Sequence, residues 1–323
     1  MFRNSVRNLA LAGVALLCAQ PAAAIQMHVP SEIERGKPLV VHLQAAVEVV
    51  QLRVALYRAN GDRVTAGGGY RTTTVRDVEV WVSLLGIPST LAPDEYLLEV
   101  VASTEHGEEV ARTRSITVRP RQFSSMRIAL NRAMSDLRET PDPRRLEQAR
   151  QIIALVATHN PQRVYNEGEF IVPVENARVS ADYGDRRVFD YADGNEAQSI
   201  HFGIDLAAPT GTAVVASGAG RVVFAADRII TGKSVVIEHL PGVFGLYYHL
   251  DRLDVAEGEL VRRGQPIGTV GMTGLATGPH LHWEFRVAGV PVDPQAFLER
   301  PLVDKRAIFR TILHSTTADT ERG

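Results

Sequence analysis

The chain has 323 residues, 45% of them hydrophobic, more than one core ordinarily covers and enough for two. Lys and Arg number 35 against 37 Asp and Glu, a formal charge of −2, so no basic excess exists to hold nucleic acid. A single cysteine, Cys18, excludes any intrachain disulfide.

In chain order, residues 1–24 place Arg3 and Arg7 before the apolar run Leu9 to Cys18 and then Pro21-Ala22-Ala23-Ala24, the pattern of a secretory signal peptide cleaved between Ala24 and Ile25. The run is too short to span a bilayer comfortably, so the mature chain is expected to have no integral membrane segment. Ala15-Leu16-Leu17 lacks the small residue expected just before a lipidated cysteine, which argues against an anchor at Cys18. Removing Arg3 and Arg7 takes the basic residues from 35 to 33 against 37 acids, a net of about −4. The expectation is export, with the periplasm as destination.

Residues 25–119 alternate in strand-like pieces, Leu39–Leu43, Leu52–Tyr57 and Tyr96–Val101, separated by turn signals at Asn60-Gly61-Asp62, Gly67-Gly68-Gly69 and Glu105-His106-Gly107. This predicts an immunoglobulin-like β-sandwich. It holds no catalytic cluster, so its expected role is positional: to dock, regulate or shield, with a regulatory protein as partner. Residues 120–164 change period. Met126, Leu130, Met134 and Leu137, a break at Pro141-Asp142-Pro143, and then Leu146, Ala149, Ile153 and Val156 predict a helical hairpin linker whose arginines form a solvated face. From 165 to 300 strands return, punctuated by Gly218, Gly220, Gly264, Gly268, Gly271, Gly274 and Gly278, predicting an antiparallel β domain with a groove between loops. Residues 301–323 read as a polar tail.

The chemistry concentrates in that third region. His201-Phe202-Gly203-Ile204-Asp205 and, some eighty residues later, His280-Leu281-His282 together offer two imidazoles and one carboxylate, the donor set of an open zinc site that keeps a fourth position for water. Residues two apart on a strand face the same way, so His280 and His282 project into one cleft, where one can bind metal while the other does chemistry. Gly203, Pro209, Gly211 and the run Thr212, Val214, Val215 argue against a helix around His201 and place His201 and Asp205 on a loop entering a strand. Gly245-Leu246-Tyr247-Tyr248-His249-Leu250 adds a second candidate catalytic imidazole, with Tyr247 and His249 expected on one strand face.

The order of His-x-Gly-x-Asp, Tyr-x-His-Leu and Gly271-Met272-Thr273-Gly274-Leu275-Ala276-Thr277-Gly278-Pro279-His280-Leu281-His282-Trp283-Glu284 resembles the lysostaphin-type zinc endopeptidases of peptidoglycan, over roughly residues 178–298. The resemblance implies that His201, Asp205 and His282 bind Zn²⁺, that His249 and His280 are catalytic, and that the substrate is a peptidoglycan stem-peptide cross-link. Two neutral imidazoles and one carboxylate leave the site net positive, able to bring a water to a pKa of about 7. Either His249 or His280 could take that proton, and the other stabilise an oxyanion or protonate a leaving amine. Glu284, on the strand face of His280 and His282, is a candidate to orient one imidazole.

The remaining histidines carry plainer readings. His28, His42, His106, His159 and His314 lie outside the motif region with no acidic or His residue at ligand spacing in the sequence, and His239, in a strand ending at Pro241-Gly242, is expected to pack or make a turn contact. Two rival functions fit the sequence less well. A biotin- or lipoyl-type carrier, suggested by the hairpin-like Val255–Gly268, lacks a lysine in the turn and leaves the histidines idle. A non-enzymatic activator of other cell-wall hydrolases that keeps the fold would be expected to have lost a metal or catalytic residue, whereas all five positions are filled here.

Overall fold

The computed structural model describes residues 25–45, 48–75, 78–299 and 301–303. The expected leader with Cys18, and residues 304–323 of the expected tail with His314, lie outside the described residues. The chain is mainly β. Eight strands come first: β1 (Ile25–His28), β2 (Glu32–Glu34), β3 (Pro38–Ala45), β4 (Val49–Tyr57), β5 (Arg63–Val75), β6 (Val78–Gly86), β7 (Asp94–Thr104) and β8 (Glu109–Arg119). Their order is β1-β3-β6-β5-β4-β7-β8-β2. β5 pairs with β4 through Arg63–Gly68 and with β6 from Gly69 onward, so one long strand hands the chain from one half of a curled sheet to the other. Gly67-Gly68-Gly69, expected as a turn, stands inside β5 at that hand-over. There a Cβ on Gly69 would lie 2.4 Å from Leu52, and one on Gly68 would lie 2.6 Å from the His159 ring, so close packing rather than chain reversal accounts for the glycines.

The connecting segment is only partly helical. Met126, expected on a helix, lies on strand β9 (Ser125–Ala129); helix α1 (Arg132–Glu139) and helix α2 (Pro143–Val156) follow. Met126, Ile128 and Leu130 also fit a period of two, and parallel pairing of β9 with a distant strand, described below, decides in favour of extended chain. α2 begins where the sequence marks it, with the Asp142 side chain accepting from Arg144 N–H and Pro143 in the first turn. Its buried stripe is Ile152 and Val156, while Leu146 and Ile153 stay exposed.

The third region supplies β10 (Arg178–Ala181), β11 (Arg186–Asp190), β12 (Glu196–Ile200), β13 (Gly203–Ala207), β14 (Ala213–Val215), β15 (Gly220–Arg228), β16 (Gly232–Leu240), β17 (Val243–Leu253), β18 (Leu260–Val261), β19 (Pro266–Val270), β20 (His280–Val287) and β21 (Val290–Val292). An antiparallel path runs β10-β13-β20-β17-β16-β15-β18, with β14 and β19 joined to it at β17 and β21 at β20. β9, β11 and β12 form a separate small sheet in which β9 runs parallel to β11.

One face of the large sheet builds the main core around Val235, Ile237, Tyr247, Leu281, Trp283 and Phe285; the other carries Val236, Leu246 and Tyr248 against Ile152 and Val156 of α2. The first region has its own core around Leu39, Leu56, Trp81 and Leu98. β6 is buried on both faces: Trp81 and Leu85 point into that core, and Val80, Val82 and Leu84 belong to the main core beside Val243, Val287 and Val292. Leu302 and Val303, at the start of the expected tail, are also buried there. No helix among the described residues is long and apolar enough to cross a membrane.

Phe285 stacks on Phe297 at 3.9 Å between ring centroids and meets Phe170 and Trp283 edge-on. The chain has two tryptophans, Trp81 in the first core and Trp283 in the main one, so a Trp81→Phe background leaves fluorescence that reports on the main core. Followed by Trp283 emission in urea, Phe285→Ala is expected to destabilise that core by about 3–5 kcal/mol; a change below about 1 kcal/mol would refute the packing account.

Candidate metal centre

β13 and β20 are antiparallel neighbours whose register sets Asp205 opposite His282, Ala207 opposite His280 and Gly203 opposite Glu284. Directly opposed residues share a face, so Asp205, His280, His282 and Glu284 all stand on one side of the sheet. His201 comes from the short link between β12 and β13. Its Nε2 lies 2.9 Å from Asp205 Oδ1 and 2.9 Å from His282 Nδ1, and His282 Nδ1 lies 3.0 Å from the same Oδ1. Among the described residues these three offer ligand atoms all within 4.8 Å of one another. Gly203 keeps the approach open, since a Cβ there would lie 2.3 Å from the Trp283 carbonyl and 2.9 Å from the His282 ring.

The hydrogen bonds behind the three residues decide which atoms face the junction. His201 Nδ1–H donates to the Asp182 carbonyl at 2.8 Å, leaving Nε2 as the lone-pair atom. His282 Nε2–H points at Glu284 Oε2, 3.5 Å away, which turns Nδ1 toward Asp205. Glu284 is itself ion-paired with Arg286, and Arg187 donates to Asp205 Oδ2 at 2.8 Å. Three lone-pair atoms therefore converge on one point, which demands a positive charge there. Burial pushes the His201 pKa down. Burial opposes a charge on His282 too, yet hydrogen bonds and charge from Asp205 and Glu284 raise its imidazole to about 9. Burial likewise opposes ionisation of Asp205, but its contacts with His201 and His282 hold its carboxyl far below the usual carboxylate range. The donor set, two imidazoles and a carboxylate each fixed by a partner behind it, fits a divalent metal ion in place of that proton.

Two further imidazoles border the junction. His280 Nδ1–H donates to the Gly278 carbonyl at 2.8 Å, and its Nε2 lies 3.6 Å from Asp205 Oδ1. His249 Nδ1–H donates to the Thr273 carbonyl at 2.8 Å, and its ring lies 4.8 Å from that of His280. The expectation that Tyr247 and His249 share a face fails. Tyr247 is in the core with its hydroxyl 2.6 Å from Ser217 Oγ, whereas His249 opens onto the cleft. The cause is local: His249 has φ +63°, a left-handed conformation that breaks the strand's alternation, in a stretch where the pairing of β17 with both neighbours shifts register. Burial, and then the neighbouring His280 and His282, lower the His249 pKa to about 3, so the ring is neutral at ordinary pH.

A cleft of about 420 Å³ opens over these groups between Met126, Ile128, Arg178 and Phe189 on one side and Leu275 to Pro279 on the other. A second lobe of about 350 Å³ continues past the junction between α2, with Ala149 and Ile153, and Ile200 and Phe202. The connecting segment thus lines both lobes. Arg187, Tyr248, whose ring stacks on His282 at 5.5 Å, and the carbonyls of Asp182 and Thr273 were invisible to sequence reasoning, because only the tertiary pairing brings them to the site. His239 is buried away from the cleft, edge-on to Phe170 at 5.1 Å, and His159 sits against Gly68.

Residues 199–294 match Peptidase family M23. Over 38% of its length the chain is 30% identical to the catalytic domain of the antimicrobial peptidase lysostaphin from Staphylococcus simulans, of which it covers 93%, with a TM-score of 0.34. The chain belongs to peptidase family M23. Among curated M23-like relatives, it is 40% identical over 123 residues to the peptidoglycan DD-endopeptidase ShyC of Vibrio cholerae, a stretch that is 38% of this chain and 28% of that one. It spans about a quarter of the length of the curated relatives it matches. The fold is shared more widely: a Pseudomonas aeruginosa protein solved as a candidate peptidase M23 matches 82% of this chain and 93% of its own at a TM-score of 0.50 and 24% identity.

For this M23 site, metal uptake has to displace the His282 proton. In the metal-free protein that proton is held at pH values below about 9. Affinity is then expected to rise by about tenfold per pH unit on approaching that value and to level off above it, with about one proton released at pH 7.5. Calorimetric titration in buffers of differing ionisation enthalpy measures the release. A metal affinity that does not vary between pH 6.5 and 8.5 would contradict the assignment.

Proposed function

We propose that the protein is a zinc-dependent endopeptidase that hydrolyses amide bonds in peptidoglycan stem-peptide cross-links, with His201, Asp205 and His282 as zinc ligands and His249 and His280 as the catalytic imidazoles. The observation that carries this is the pair of imidazoles, each with Nδ1 committed to a backbone carbonyl, beside a three-donor metal junction, all opening on one cleft. When bound, the ion supplies Lewis acidity, lowering the pKa of a water and polarising the scissile carbonyl. The chain's own groups do the rest. His249 and His280 each commit Nδ1–H to a backbone carbonyl, so each keeps Nε2 free to take a proton from the attacking water or return one to the leaving amine. Arg187 fixes the Asp205 carboxylate, and Glu284, held by Arg286, fixes the His282 tautomer. Tyr248, Leu275 and Phe189 line the cleft beside the junction with apolar surface.

The activator reading has less support, because every metal and catalytic position is filled and pre-oriented. The first region fits an immunoglobulin-like sandwich, a reading supported by its separate core and by the hand-over of β5 between two half-sheets. Export to the periplasm rests on residues 1–24; the mass of the chain recovered from the producing cell is expected to begin at Ile25, and retention of the leader would overturn it.

The test of function is digestion of purified sacculi. Asp205→Ala and His282→Ala are expected to lose zinc, measured by elemental analysis, and with it activity. His249→Ala and His280→Ala are expected to keep zinc but lose turnover by roughly 10²- to 10⁴-fold. Products should be shortened peptides without new reducing sugar ends. Near-full activity in either histidine variant removes that residue from catalysis, and sugar-chain fragments would refute the endopeptidase reading.

A further inference from the structure

The two lobes of the cleft differ in how their charges are committed. Four arginines line them: Arg178, Arg187, Arg228 and Arg286. Arg187 holds Asp205, Arg286 is paired with Glu284, and Arg228 donates to the Gln148 carbonyl and to Thr231 Oγ1. The two acids of the lining, Asp205 and Glu284, are thereby taken. Arg178 alone of the four makes no hydrogen bond or ion pair to any described residue, and it stands exposed on the edge strand β10.

The register fixes where that free guanidinium lies. Arg178 is opposite Ala207 on β13, and Ala207 is opposite His280 on β20. The three form one row across neighbouring strands and share the cleft face, with strands about 4.8 Å apart, so Arg178 is separated from the catalytic imidazole by a single small residue. From a scissile amide held at His280 and the metal junction, a peptide that follows this row crosses Ala207 and comes within reach of Arg178. The wall above, formed by Met126, Ile128 and Phe189, is apolar, so the complement of this lobe is an aliphatic residue ending in an anion.

We propose that Arg178 is a specificity-determining residue: it binds a free carboxylate on the substrate residue adjoining the scissile amide. This rests on the reading of the site as an amide hydrolase. A planar guanidinium with no internal partner matches a carboxylate through two parallel N–H···O bonds, which a carboxamide cannot reproduce. Arg187 adds positive charge beside it, as a metal ion would when bound, and no uncommitted acid in the lining opposes it.

The experiment uses the full zinc-loaded chain and two synthetic cross-linked stem peptides, identical except that the carboxyl group next to the scissile amide is free in one and a carboxamide in the other. The wild type is expected to favour the free acid by about 10- to 100-fold in kcat/KM. Arg178→Ala should raise KM for the acid peptide with kcat little changed, so that both peptides are cut at similar efficiency, while Arg178→Lys restores part of the preference. Zinc content and thermal midpoint should match the wild type. Equal wild-type efficiency on both peptides, or a preference that survives Arg178→Ala, overturns the proposal. Cleavage of neither peptide by zinc-loaded wild type overturns the hydrolase reading and the proposal together.

Discussion

The site depends on one cross-strand register. Asp205 faces His282 because β13 and β20 pair with Gly203 opposite Glu284 and Ala207 opposite His280. A slip of one residue would send all four functional side chains of β20 and β13 into the main core and bring Trp283 and Phe285 out of it. The burial of those aromatics, with that of Leu281 and Val287, therefore fixes the register, and the register brings the ligand atoms together. The core and the metal junction are two faces of one pairing. Gly203 belongs to both, since it admits the His282 ring and lets β20 lie close.

Around that pairing, each reactive atom is oriented by a group behind it. The carbonyls of Asp182, Thr273 and Gly278 take the unused imidazole protons, and Arg187 reaches from the small β9-β11-β12 sheet to the far oxygen of Asp205. His249 reaches the cleft only through a left-handed backbone, a conformation a β-branched side chain would tolerate poorly. Irregular backbone at a site held by regular sheet on both sides is the expected place for such a residue, because the surrounding pairing holds it in place.

Much of this was legible in the residues and some was not. His280 and His282 sit two apart on a strand, so alternation predicted their common cleft, while His201 and Asp205 were joined to them by their donor chemistry and by the family resemblance. His249 was readable as a candidate but not its orientation, because alternation placed it with Tyr247 and a shift in pairing reversed that. Met126 read as helical because Met126, Leu130, Met134 and Leu137 keep a helical spacing. Met126, Ile128 and Leu130, at alternate positions, also suit a strand, and the parallel partner β11 is distant in sequence. Of the helical run Leu146, Ala149, Ile153 and Val156, Val156 meets the sheet together with Ile152, while Leu146 and Ile153 stay exposed. Gly67-Gly68-Gly69 carried the composition of a turn and the geometry of a crowded strand. In each miss, contacts between remote segments overrode a local pattern.

β6 has a consequence in time. Its inward residues are satisfied within the first region, but Val80, Val82 and Leu84 belong to the main core, most of which is built by the third region. During synthesis the first region can close its own core while still presenting an uncovered apolar stripe, which stays exposed until the last strands have been made. The interval before those strands are made is therefore when the growing chain is most exposed to self-association. Any change that slows the later strands, rather than one that weakens the first region, lengthens it.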